Sequence, residues 1–93
     1  MIPDEVKEKF EAAYAKHPKN IWAGVNQTIR KVHEKTAGIV LIAEDTEPKE
    51  IIMPLVQDVK TKGIEHYFGT RAEIAKISHC PRPASAACLM KAH

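Results

Sequence analysis

The sequence predicts an α/β protein, a three-layer α-β-α sandwich around a small mixed four-stranded sheet. Three observations predict it. Helix-periodic and strand-like segments alternate along the chain. One segment, Ile39-Val40-Leu41-Ile42-Ala43, is an unbroken apolar run of β-branched character, the mark of a strand covered on both faces. The 93 residues are 44% hydrophobic and 28% charged, which suits one domain over residues 1–93 with a small core rather than a disordered chain.

Each element has its own signal. Pro3-Asp4-Glu5 opens a first helix, because proline suits the first turn and early acids suit the helix dipole. Val6, Phe10, Ala13 and Tyr14 form its apolar stripe, and Pro18 stops it. Ile21-Trp22-Ala23 is a short strand, in which Trp22 is expected to pack near the sheet edge rather than serve as a stacking platform for a base. After Gly24 a second helix runs from Asn26 to about Lys35, with Val25, Ile29 and Val32 on one face. Ala37-Gly38 breaks it before the apolar strand at 39–43.

Glu44-Asp45-Thr46-Glu47 forms an acidic turn, and Pro48 starts a third helix carrying Ile51, Ile52, Leu55, Val56 and Val59 as far as Gly63. Pro54 inside it predicts either a kink or a helix that begins late. Ile64 to Phe68 is another strand, and Thr70 caps a short helix over Arg71 to Ile77. Pro81 and Pro83 exclude regular structure from His79-Cys80-Pro81-Arg82-Pro83. Ala84 to Met90 is the last strand.

Composition excludes several function classes. Fourteen Lys+Arg against twelve Asp+Glu give a net charge of +2, too low for a basic nucleic-acid tail but compatible with a local basic face. The longest apolar run is too short to span a membrane, and the start carries no signal-peptide pattern. Two cysteines make no disulfide framework, which suits a reducing compartment.

Catalytic and metal chemistry find little support. His79, Cys80, Cys88 and His93 match no zinc-finger or ribbon spacing, and Cys88 falls in a predicted strand as a small core residue. His79 next to Cys80 is no dyad, since chain neighbours usually point apart. Glu44 and Asp45 are read as acids serving the start of the third helix.

The informative stretch is Gly24-Val25-Asn26-Gln27-Thr28-Ile29-Arg30-Lys31. Gly24 permits close backbone approach. Asn26 and Gln27 stand in a first helical turn, where unpaired N–H groups attract phosphate. Arg30 lies one turn on, facing the same way as Asn26. Amides and a guanidinium on one helix tip are suited to reading base edges. Asn26 as a simple cap and Arg30 as a solvated charge are the plainer alternatives.

Three motifs in order, Gly24-x-Asn26-Gln27-x-x-Arg30, then Ile39-Val40-Leu41-Ile42-Ala43-Glu44-Asp45-x-x-Pro48-x-Glu50-Ile51, then Arg82-Pro83-Ala84-Ser85, resemble the kink-turn-binding ribosomal-protein superfamily. That group contains an archaeal large-subunit ribosomal protein and the core subunits of box C/D and H/ACA ribonucleoproteins. The resemblance covers roughly residues 20–90 and implies the same α-β-α sandwich. It implies a binding protein without enzymatic activity, cofactor or metal.

Its implied partners are RNA with a kink-turn or related bend and other ribonucleoprotein core proteins, with no membrane, for a protein that is a monomer when free. It implies the nucleolus or nucleus in a eukaryote, and the cytoplasm or ribosome in an archaeon. By resemblance Gly24, Asn26, Gln27 and Arg30, with Lys31 beside them, match the tip that meets sheared G·A pairs and nearby phosphates. Glu47 and Ile51 match positions at the extruded base, Arg71 a backbone contact, and Cys80, Pro81 and Arg82 the loop over the bend.

This is physically sensible, since regular A-form grooves hide base edges while a kink opens the groove and splays a base out. Departures include Cys80 where valine is frequent, Pro81 where a small or polar residue is usual, Pro54 two positions early, and Ala75 where glycine is common. Gly24-Val25, Gly38-Ile39, Glu44-Asp45-Thr46-x-Pro48 and the ending from Arg82 to His93 lean towards the H/ACA subunit, and Asn26 towards the ribosomal and box C/D type. The low net charge and altered 79–83 loop leave a second reading open, a protein-interaction subunit with weak RNA binding.

Overall fold

The computed structural model describes residues 2–91; Ala92 and His93, used above in the chain ending and in the zinc set, lie outside the described residues. The chain forms helix α1 (Asp4–Lys16), strand β1 (Ile21–Ala23), helix α2 (Val25–His33), strand β2 (Ala37–Ala43), helix α3 (Met53–Lys62), strand β3 (Glu65–Gly69), helix α4 (Arg71–Ile77) and strand β4 (Ala86–Met90). Single 3-10 turns at Pro18–Asn20 and Lys49–Ile51 precede β1 and α3.

The strands lie in the order β1-β4-β2-β3, with β2 parallel to β3 and β4 antiparallel to both β1 and β2. The sheet is therefore mixed. Its central strand β2 is buried almost throughout, as its apolar run requires.

Alternation along β2 builds two cores. Ile39, Leu41 and Ala43 face Val6 and Phe10 of α1 and Ile74 and Ile77 of α4. Val40 and Ile42 face Val32 of α2 and Leu55 and Val59 of α3. Each fully buried Leu or Ile contributes about 1.5–3 kcal/mol, and these two layers hold the helices on either side of the sheet. Cys88 is a core residue of the second layer, and burial pushes its thiol up to about 11.

Two expectations are corrected. The third helix does not start at Pro48, which is extended (ψ 151) and leads into the 3-10 turn. The α-helix begins at Met53, so Pro54 occupies its first turn, where a missing N–H breaks no ladder bond. Pro54 thus marks a late start, and Ile51 lies outside the helix. Tyr14 is also not core: it is 45% exposed, while Val6 and Phe10 of the same stripe are buried. Tyr14 stacks on the ring of His79, a loop residue, instead.

Candidate nucleic-acid interface

Strand directions determine where the candidate residues fall. β2 and β3 are parallel, so Ala43 and Gly69 end side by side. β4 is antiparallel and begins there, with Ala86 opposite Ile42 and Ala87 opposite Ala23, the end of β1. One end of the sheet therefore carries the exits of β1, β2 and β3 and the entrance to β4. Gly24, the 44–51 segment, Arg71 and the 79–85 loop all follow or precede those strand ends. Residues spread over 59 positions, Gly24 to Arg82, share one end of the molecule.

Backbone bonds tie these segments together. Gly24 N–H donates to Ala86 O (2.8 Å), Ala43 N–H to Ser85 O (2.8 Å), Glu44 N–H to Gly69 O (2.8 Å) and Ala84 N–H to Arg71 O (3.4 Å).

At the α2 tip, Gly24 has φ 108 and ψ 145, a conformation open to glycine and strained for any L side chain. The first bond into the helix is Thr28 N–H to Gly24 O (3.0 Å), and Thr28 Oγ1 donates to the same oxygen (2.7 Å). The amides of Val25, Asn26 and Gln27 come before that ladder and present donors outward. Asn26 makes no side-chain cap, as Gly24 holds the cap position. Asn26, Gln27 and Arg30 are exposed, and Arg30 Nε stands 3.6 Å from Glu34 Oε2.

Lys31 departs from this group. Its ammonium lies 4.4 Å from the Trp22 ring centroid and 3.6 Å from Glu34 Oε1, with only 17% of the side chain exposed. The half-buried Trp22 packs against the α2–α3 core, as expected of a structural residue.

On the second segment Glu47 is exposed and Ile51 is 47% exposed, with Met53 beside it at 46%. Two large apolar side chains thus stand in solvent at this corner; the sequence reading found Ile51 and missed Met53, which looked like a helix residue. Between them and β2, Thr46 is buried, and its Oγ1 has no hydrogen-bond partner among the described residues.

The acids act differently from the expectation. Asp45 Oδ1 accepts from Arg71 N–H (2.9 Å), so it serves the start of α4, not α3. Asp45 Oδ2 is also 3.8 Å from Arg71 Nε. The reason is the parallel β2–β3 pairing, which brings the 45 and 71 corners together. Thr70 caps α4 as predicted, accepting from Glu73 N–H while Glu73 Oε1 accepts from Thr70 N–H (both 3.1 Å).

On the last segment Pro81 and Arg82 are exposed, and Cys80 is half-buried against the α1–α4 core. His79 does not face Cys80 as a dyad partner. Its Nε2 donates to Glu11 Oε1 (2.8 Å), and its ring stacks on Tyr14 at 3.7 Å between centroids. No group of three or more metal-ligating side chains occurs among the described residues.

A small α-β-α sandwich whose exposed amides, surface guanidiniums and apolar corner gather at one sheet end is a binding domain. The chain belongs to the ribosomal protein L7Ae/L30e/S12e/Gadd45 family, whose profile matches residues 4–93. Membership places it among binding proteins rather than enzymes. It is 32% identical over 92 residues to the large ribosomal subunit protein eL8 of Haloquadratum walsbyi, covering 98% of this chain and 75% of that protein. It is 32% identical over 69 residues to the eL8 protein of Halobacterium salinarum, covering 72% of this chain and 58% of that protein. Its fold is similar to that of a Giardia lamblia 15.5kD RNA binding protein, with a TM-score of 0.75 at 25% identity over 94% of this chain and 68% of the other.

Proposed function

We propose that the protein recognises a kink-turn or a similar bent RNA motif and nucleates a ribonucleoprotein, in a ribosome or in a box C/D or H/ACA particle. The observation that carries the reading is the convergence on one sheet end of the α2 tip, the Glu47–Ile51 corner, Arg71 and the 80–82 loop. Asn26, Gln27 and Arg30 offer donors to guanine edges and phosphates, and the helix N-terminus favours anions. Ile51 packs on an extruded base, whose edge donates to Glu47. The eL8 relatives support a ribosomal setting in the cytoplasm, and the Giardia protein supports RNA as the ligand. In a eukaryote the same activity belongs to the nucleolus.

The test is a gel shift of the protein with a kink-turn RNA and with the same RNA whose G·A pairs are replaced by Watson–Crick pairs. The intact kink binds more tightly; equal binding of the two refutes the reading.

A second reading, a protein-interaction subunit with weak RNA binding, has one observation in its favour. An open cleft of about 580 Å³ at the opposite sheet end is floored by Ala12, Ala13, Ile39, Leu89 and Met90, with lysines at its rim. Under that reading RNA affinity is weak, falls steeply with salt and ignores RNA shape.

A further inference from the structure

Three helices leave through a left-handed residue: α2 at Lys35 (φ 61), α3 at Gly63 (φ 66) and α4 at His79 (φ 57). In each, the next amide reaches back over the last turn: Thr36 N–H to Lys31 O (3.0 Å), Ile64 N–H to Val59 O (2.9 Å), Cys80 N–H to Ala75 O (2.8 Å). Glycine is the residue this geometry favours, because a Cβ crowds the following carbonyl. Gly63 meets that preference. Lys35 is exposed and forms no ion pair or ring contact among the described residues. His79 alone combines the unfavourable backbone with a docked side chain. Its Nε2 is 2.8 Å from Glu11 Oε1, and its ring lies nearly parallel to Tyr14, at 3.7 Å and 11°.

Both partners belong to α1, which contributes no residue to the proposed RNA interface. The contact explains why Tyr14 ends the apolar stripe in solvent rather than in the core. Beyond His79 the loop holds Cys80, then exposed Pro81, Arg82 and Pro83, and is next pinned by the long Ala84 N–H to Arg71 O bond (3.4 Å). One flank is thus held by backbone bonds and the buried Ala84, and the other by the Cys80 N–H to Ala75 O bond together with the His79 side-chain contacts.

We propose that His79 is a positioning residue: docked on Glu11 and Tyr14, it clamps the 79–82 loop to α1 and holds Pro81 and Arg82 at the RNA-binding end of the sheet. This rests on the RNA reading above, and it deepens that reading by extending the interface's support to α1. A glycine at 79 would satisfy the backbone better but could not make the clamp, so fold stability and loop placement pull in opposite directions there.

That opposition gives the test, made on the 93-residue chain with His79→Gly. The thermal midpoint stays the same or rises, since glycine suits the left-handed exit. Maleimide labelling of the half-buried Cys80 speeds up by about threefold or more as the loop loosens, since thiol reactivity follows access. Cys88 is silent, being buried with its thiol pushed up to about 11, and Cys80→Ser provides the blank. Affinity for the kink-turn RNA falls by roughly three- to tenfold, and adding Glu11→Ala or Tyr14→Ala to His79→Gly lowers it no further, because partners in one contact are not additive.

A His79→Gly protein with wild-type labelling and wild-type affinity overturns the inference, and so does faster labelling with unchanged affinity. If wild-type protein binds the intact and G·A-replaced RNAs equally, it is the RNA reading that fails, while the labelling rate still decides whether the clamp exists.

Discussion

At the entry to α2 the backbone turns through Gly24 with φ 108; at the exit from α4 it turns through His79 with φ 57. Both turns adjoin the proposed interface, one ahead of the residues proposed to read guanine and one ahead of the loop proposed to lie over the bend. At Gly24 the absence of a side chain is the solution. No atom would meet a Cβ within 4 Å, so only the dihedral demands glycine. At His79 the side chain is the solution, because the ring docks on a helix 65 residues away at Tyr14. The α2 tip is therefore positioned by its own backbone and the Gly24–Ala86 bond. The 79–82 loop is positioned by contacts made through space. A recognition surface built both ways should fail in two distinguishable manners.

The largest expected effect tests the backbone side of that comparison. Gly24→Ala places a Cβ in a conformation almost confined to glycine, costing about 1–3 kcal/mol of stability. Urea unfolding reads the loss, and RNA affinity falls with it because Asn26 and Gln27 follow directly. An unchanged midpoint would mean that the tip relaxes freely and is not backbone-held.

Asn26→Ala leaves the fold intact, since the side chain is exposed and makes no cap. It weakens kink-turn binding by about 1–3 kcal/mol and lowers the preference over the G·A-replaced stem, because a guanine contact is lost while the phosphate contacts, which carry no sequence information, remain. A wild-type binding ratio in the gel shift would show that the tip is not the reader.

Ile51→Ala comes next, at about 1 kcal/mol of affinity, the worth of a few methylene groups packed on a base. Its 47% exposure separates this loss from stability, because no core cavity opens. The loss shrinks when the extruded nucleotide is replaced by an abasic linker, and isothermal titration with the two RNAs measures the difference. Equal losses on both RNAs would remove Ile51 from the extruded-base site.

Thr46→Val has the smallest effect and the opposite sign. It deletes a buried hydroxyl without a partner while keeping the shape of the side chain, so stability rises by up to about 1 kcal/mol. A drop in the unfolding midpoint would reveal a bond the hydroxyl makes.

Local chemistry made much of this molecule legible. The apolar run at 39–43 announced a doubly covered strand, Thr70 a helix cap, and Gly24 ahead of Asn26 an open helix tip; each signal lies within a few residues of what it specifies. Pro54 was ambiguous because proline tolerates a first turn but not an interior, and only the observed start at Met53 separates the two. Asp45 was read towards the nearest helix in sequence. The parallel β2–β3 pairing gives it to Arg71, 26 residues on.

Met53, the orphaned Thr46 hydroxyl and the His79–Glu11–Tyr14 contact had no signal in the chain. Exposure and distant pairing depend on how layers stack, not on neighbouring residues. The sequence by itself determined the elements and the buried central strand, because periodicity and turn chemistry are local properties; the residues proposed to meet RNA came from a resemblance carried by three motifs. The tertiary structure alone decided that strand directions bring those residues to one end of the sheet, that Lys31 turns in towards Trp22, and that α1 reaches the 79–82 loop, because each is a property of packing between segments far apart along the chain.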